Sequence, residues 1–118
     1  RIRKEFWGYS TSESLSNDEL IREKYRGIRP APGYPSCPDH REKQTLWSLL
    51  DVESATGISL TDSLAMWPTS SVSGFYFAHP DARYFTLGQI GKDQVQSYSQ
   101  RRNEHFDESA RWLAPVLG

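Results

Sequence analysis

The segment Arg29-Pro30-Ala31-Pro32-Gly33-Tyr34-Pro35-Ser36-Cys37-Pro38-Asp39-His40 carries a guanidinium, a phenol, a thiol, a carboxylate and an imidazole on one short stretch. Four of the seven prolines lie between positions 30 and 38. Proline fixes φ, removes a backbone donor and pushes the residue before it toward extended geometry. The segment therefore reads as a stiff, extended strap that cannot pair as a central strand. A loop stiffened in this way loses little entropy when it closes on a ligand. The same residues also suit a plain connector between two helices.

Cys37, Asp39 and His40 invite a metal reading, but there is no second cysteine, and His79 and His105 lie far off without ligand-like spacing. Asp39 is better explained as a helix cap and His40 as a first-turn residue, so no metal ligand is expected. No Gly-x-Ser-x-Gly elbow marks a nucleophile. No Gly-x-Gly-x-x-Gly or P-loop pattern marks a phosphate cradle.

Other positions offer recognition rather than reaction. Arg29 precedes a proline, so its backbone is held extended while its planar fork suits a carboxylate or phosphate; it could equally be a solvated arginine at a helix end. Ala31 stands between two prolines with an N–H outside regular structure, open to a ligand, a turn or water. Tyr34 could pack on a nearby helix or face a ligand. Tyr84 and Phe85 are neighbours in an extended segment and should point to opposite faces. Glu23 sits among Arg22, Lys24, Arg26 and Arg29, as a member of a solvated charged helix end or as a site residue.

These residues need elements to position them. Residues 1–9 read as the end of a helix, with Gly8 as its stop. Ser16-Asn17-Asp18-Glu19 is a capping-box pattern, and its helix should run to about Tyr25, closed by Gly27. Asp39 with Glu42 opens a second helix, whose apolar stripe is Leu46, Leu49 and Leu50. Ser63–Trp67, Val72–Ala78 and Arg83–Ile90 read as three strands, the last two joined as an antiparallel hairpin by the turn His79-Pro80-Asp81-Ala82. Asp93 starts a helix carrying Val95 and Tyr98, and a short helix after Asp107 carries Ala110, Leu113 and Ala114. Helices flanking an antiparallel sheet make an α+β fold. Two helices and the strap precede any strand, so part of the sheet's core is expected from chain upstream of Arg1.

The chain has 118 residues, 36% hydrophobic and 13% aromatic, which suits one small domain with a modest core. A net charge of −1 gives no general pull toward nucleic acid or an anionic membrane. The Phe75-Tyr76-Phe77 run lacks the basic clustering of a base-stacking sheet. No apolar run approaches the roughly 20 residues of a membrane span. One cysteine allows no internal disulfide, and a cytoplasmic address is expected.

Several motifs together resemble a known family. Glu23-Lys24-Tyr25-Arg26-Gly27-Ile28, the strap, Ala65-Met66-Trp67-Pro68, the block from Ser71 to Asp93-Gln94-Val95, and Arg111-Trp112-Leu113-Ala114-Pro115 are similar, in this order, to the reactivation domain of cobalamin-dependent methionine synthase. The likeness extends over essentially the whole chain and fits the C-terminal part of that larger activation domain. In the family, further chain precedes this part and includes an acidic residue that helps hold S-adenosylmethionine.

The resemblance implies that the chain binds S-adenosylmethionine and presents it to cobalamin for reductive methylation. It implies that cobalamin sits on another domain of the same enzyme, that flavodoxin or another donor supplies the electron, and that this fragment alone is inactive. It assigns Arg29 to the ligand's carboxylate, Ala31 to a backbone contact and Tyr34 to the side facing cobalamin. Tyr84 contributes its side chain, Phe85 mainly its backbone with the ring buried, and Glu23 a place close to the site. A stand-alone small-ligand module, or an interaction domain whose strap docks a partner, are the alternatives outside this class.

Overall fold

The computed structural model describes all 118 residues, Arg1–Gly118, and divides into two compact units. The first joins Arg1–Arg29 to Phe75–Tyr84; the second joins Pro30–Gly74 to Phe85–Gly118.

In the first unit, Ile2–Phe6 forms one π-helical turn and Gly8 follows at φ 71, as its stop position requires. Helix α1 (Asn17–Ile21) starts from the expected capping box: the Ser16 N–H donates to Glu19 Oε2 at 2.8 Å, and the Glu19 N–H to Ser16 Oγ at 3.3 Å. The helix ends well before Tyr25. Glu23 takes φ 54, and the Lys24 N–H reaches back to the Glu19 carbonyl at 3.0 Å, a left-handed close that usually belongs to glycine. Beyond it, the Arg26 N–H donates to Glu13 Oε2 at 2.9 Å and Arg26 Nε to the Ala78 carbonyl at 3.0 Å. These tertiary bonds displace the helical ones.

Ile28 and Phe77 exchange two N–H···O bonds of 2.9 Å as an isolated antiparallel bridge. The ladder cannot lengthen toward the strap, because Pro30 has no N–H to donate. It cannot lengthen the other way, because Glu13 has taken the Arg26 N–H. Gly27 sits beside this bridge at φ 76, and a Cβ there would overlap the Phe77 carbonyl oxygen.

The second unit begins with the strap, which is not extended. The Tyr34 N–H donates to the Ala31 carbonyl at 3.2 Å, the Cys37 N–H to Tyr34 at 2.8 Å, and the Gly33 N–H to Cys37 at 2.8 Å. Proline excludes the helical and ladder options, and consecutive turns satisfy the donors of Gly33, Tyr34 and Cys37. Helices α2 (Glu42–Leu50) and α3 (Val52–Thr56) meet at Asp51, at φ 47, and Gly57 closes α3. Leu49 and Leu50 are exposed, so the expected stripe does not reach the core.

One two-stranded antiparallel sheet is present, β1 (Ser59–Leu60) with β2 (Met66–Trp67), in the register Ser59↔Trp67 and Leu60↔Met66. The fold is α+β, with two strands rather than three. Val72–Ala78 carries only the Phe77 bridge. Arg83–Ile90 carries only a parallel bridge from Ile90 to Leu117. The His79–Ala82 turn closes, with the Ala82 N–H on the His79 carbonyl at 3.1 Å, but no hairpin follows. Arg83 folds back onto the Pro80 and Ala82 carbonyls instead. Helices α4 (Lys92–Arg102) and α5 (Phe106–Trp112) pack around Ile90, Val95 and Leu113, flanked by Tyr98, Phe106 and Ala110. Ala114 is exposed, outside this core.

A charged network lies between the strap and these helices. Arg41, 5% exposed, donates to both Asp39 carboxylate oxygens and to both oxygens of Glu104, each of the latter at 2.8 Å. Tyr98 Oη donates to Asp39 Oδ2 at 2.8 Å. Asp39 therefore braces Arg41 just ahead of α2, while Glu42 turns away from any capping box to pair with Arg102 at 3.0 Å. Burial works to raise the Asp39 and Glu104 carboxyls, but hydrogen bonds to charged and hydroxyl donors outweigh it and hold both below their usual values. Burial and the bond to Asp39 push the Tyr98 phenol up to about 12.

Candidate functional site

In the first unit, a cleft of about 430 Å³ is lined by Arg3, Tyr9, Leu20, Tyr25, Gly27, Ile28, Arg29, Tyr76 and Tyr84. Its walls follow from local structure. Phe75 and Phe77 stack on each other with centroids 5.8 Å apart, two residues apart in an extended segment, so Tyr76 between them turns to the opposite side. Gly27 lets the backbone pass close to Phe77 and brings Tyr25 and Arg29 to one edge.

Two arginines line this cleft in different states. The Arg3 guanidinium lies 5.7 Å from the Tyr9 ring centroid and 5.6 Å from that of Tyr25. It is paired with Glu13 and donates to the Arg26 carbonyl. Burial would lower its pKa, but the Glu13 carboxylate and the Tyr9 phenol more than offset this and raise it. Arg3 is thus committed to the protein. Arg29 is exposed and makes no ion pair within the chain. Its backbone is fixed, because its N–H donates to Tyr84 Oη at 2.9 Å. The cleft therefore offers one uncommitted guanidinium on an anchored backbone, walled by phenol rings. Burial, with the nearby Tyr84 and Glu23, raises the Tyr25 phenol, so that ring stays neutral.

Among the expected site residues, Arg29 and Tyr84 are brought into direct contact. Glu23 lines a second hollow of about 460 Å³ with Glu13, Arg22, Lys24, Tyr25, Arg26, Pro80 and Arg83, sharing Tyr25 with the cleft. Ala31, Tyr34 and Phe85 belong to the second unit. Ala31 is half-buried, and no group of the chain accepts its N–H. Tyr34 stands on a turn, 66% exposed. Phe85 is 56% exposed, so its ring is not buried as the sequence suggested; Arg83–Ile90 makes no ladder, and no facing strand covers it.

Arg3, Tyr9, Tyr25 and Tyr76 were not singled out from the sequence. For Tyr76 a signal existed, since strict alternation within Phe75-Tyr76-Phe77 separates the middle ring from its neighbours. For Arg3 and Tyr9 there was none, because they enter the cleft from a turn distant in sequence. No group of three or more His, Cys, Asp or Glu residues is arranged to hold a metal ion. No helix is long and apolar enough to cross a membrane.

The fold has a solved counterpart. A crystal structure of the MetH reactivation domain bound to AdoHcy is similar to this chain at 59% identity and a TM-score of 0.90; the match covers 100% of this chain and 36% of the solved one. The chain thus spans about a third of the length of that relative. Residues 1–103 also match the family described as vitamin B12 dependent methionine synthase, activation domain. The chain belongs to the family of activation domains of vitamin B12 dependent methionine synthase.

Proposed function

We propose that this chain binds S-adenosylmethionine and presents it for reductive methylation of cobalamin, which reactivates a cobalamin-dependent methionine synthase. The carrying observation is Arg29: a guanidinium without an ion-pair partner in the chain, on a backbone fixed by Tyr84, in an aromatic cleft. Such a group suits the carboxylate of a methionine moiety. AdoHcy in the solved relative has that carboxylate and the adenosyl group, and S-adenosylmethionine adds a methyl on a cationic sulfur. Aromatic faces stabilise such a cation by about 0.5–2 kcal/mol.

Ala31 supplies a main-chain N–H to the ligand, Phe85 a main-chain contact, and Glu23 a charge near the cleft. The sulfonium is already an activated methyl donor, so the residues here need only orient it, match its charges and exclude water. Cobalamin, held by another domain of the same enzyme, supplies the metal that accepts the methyl group, and flavodoxin or another donor supplies the electron. Tyr34, exposed on its turn, suits the side facing cobalamin.

Calorimetric titration of the intact polypeptide with S-adenosylmethionine and S-adenosylhomocysteine tests the reading. Both should bind, and Arg29→Ala should weaken both roughly ten- to a hundredfold, from loss of a charge-assisted contact of about 1.5–3 kcal/mol. Absence of binding by the unmodified protein would overturn it. Binding without any effect on cobalamin would favour a stand-alone ligand module.

A further inference from the structure

Lys43 is a lysine 5% exposed with no carboxylate partner. Burying an ammonium without a counter-charge is costly, and burial lowers its pKa. Its Nζ has two neighbours. One is the Leu64 carbonyl at 2.7 Å, and the other is His40 Nδ1 at 3.0 Å. An ammonium only donates, so Nδ1 accepts and the imidazole carries its proton on Nε2. Burial and the facing Lys43 both lower the His40 pKa, which keeps the ring neutral and the bond intact.

The ring so held lies close against the strap at Gly33, with Cε1 nearest. Gly33 is at φ 94, and a Cβ there would overlap the His40 imidazole. Gly33 also closes the turn, its N–H on the Cys37 carbonyl at 2.8 Å. Tyr34 comes next and projects into solvent, so its direction depends on the backbone beneath it. We propose that His40, latched by the buried ammonium of Lys43, is the positioning residue that fixes the Gly33–Cys37 turn and thereby the direction in which Tyr34 is presented. The proposal rests on the reading above, in which Tyr34 faces cobalamin.

The test uses the intact polypeptide with fluorotyrosine at position 34 and fluorotryptophan at position 47, read by fluorine NMR. Trp47 reports on the fold of the second unit, since its indole donates to the Ile58 carbonyl at 2.8 Å. His40→Ala should shift or broaden the Tyr34 signal, leave the Trp47 signal in place, and lower S-adenosylmethionine-dependent methylation of cobalamin several-fold. His40→Phe and Lys43→Met each keep a ring over Gly33 and lose the latch, so their Tyr34 signals should be intermediate. An unchanged Tyr34 signal in His40→Ala overturns the proposal. So does an equal change at Tyr34 and Trp47 in all three variants, which would make His40 a general packing residue. If the unmodified protein fails to bind S-adenosylhomocysteine, the functional reading falls, while the Tyr34 signals still decide the positioning role.

Discussion

The phenol oxygen of Tyr84 accepts the backbone N–H of Arg29 at 2.9 Å, across 55 positions of sequence. The bond anchors the main chain of Arg29 and leaves its side chain free. It uses one acceptor lone pair of the Tyr84 hydroxyl, whose own proton stays free to donate.

Tyr84→Phe keeps the ring and removes the acceptor. The Arg29 N–H then turns to water, because the residue is exposed. The expected loss of stability is about 0.5–1.5 kcal/mol. S-adenosylhomocysteine affinity should fall by more than stability explains, since the guanidinium loses its fixed base. A denaturant melt beside a calorimetric titration of the same variant separates the two effects.

Arg29→Lys tests the shape of the charge. Lysine retains the charge but not the planar fork that grips a carboxylate with two parallel bonds. Affinity should lie between those of the unmodified protein and Arg29→Ala, with the melting midpoint unchanged. Full affinity in Arg29→Lys would show that only the charge matters.

Gly27→Ala should destabilise the first unit. The residue sits at φ 76, where a side chain costs about 1–2 kcal/mol, and its methyl would overlap the Phe77 carbonyl. The Ile28–Phe77 bridge next to it should open, exposing both amides to hydrogen exchange. Gly8→Ala is the control: its φ is also positive, but nothing lies within 4 Å of the added methyl, so the difference between the variants isolates the clash.

The parts of this fold legible in the sequence are those decided locally. Ser16 and Glu19 form a capping box whatever surrounds them, and His79–Ala82 closes as a turn from its own residues. Val95, Tyr98 and Leu113 reach the core at the helical spacing expected of them. What failed depended on partners. The hairpin beyond Ala82 rests in the sequence on its turn and on the β-forming residues that flank it, but Arg83 bonds the Pro80 and Ala82 carbonyls and Tyr84 the Arg29 N–H instead. Leu49 and Leu50 had the right spacing for a buried face without anything in this unit to bury it. Within the site, Arg29 and Tyr84 were visible as residue types, yet their contact was not. Arg41, which bonds both Asp39 and Glu104, carries no mark in the sequence that sets it apart from the other arginines.

The Asp39–Arg41–Glu104 network makes a pH prediction. Both carboxyls are held below their usual values of 3.8 for Asp39 and 4.5 for Glu104. A carboxylate depressed in the folded state contributes stability that is complete above its unfolded value and is lost as pH falls through the folded one. Stability should therefore decline as pH drops below about 4.5, with Glu104 followed by Asp39. His40, also depressed from its usual 6.5, adds a shallower loss that begins near that pH. Arg41→Met should cost about 3–5 kcal/mol at neutral pH, by leaving a buried carboxylate unpaired, and should flatten part of the acid slope. Thermal melts from pH 7 to 3 on both proteins check it; parallel curves would remove the network from the acid response.

Tyr34→Phe should alter reductive methylation more than ordinary turnover. Tyr34 is exposed on the tip of a braced turn, and no other group of the chain bonds its hydroxyl, so removing that oxygen should leave the fold and its melting midpoint unchanged. Any effect must then come from what the phenol meets outside this chain. If that surface is cobalamin in the reactivation arrangement, the loss appears only when S-adenosylmethionine is the methyl donor. Turnover with the folate donor would not use this turn. The measurement sets the rate of methylcobalamin return from the oxidised cofactor beside steady-state methionine formation in the same preparation. A several-fold drop in the first with the second unchanged supports the assignment. Equal effects on both rates, or none on either, would leave Tyr34 as a surface residue without a part in presentation.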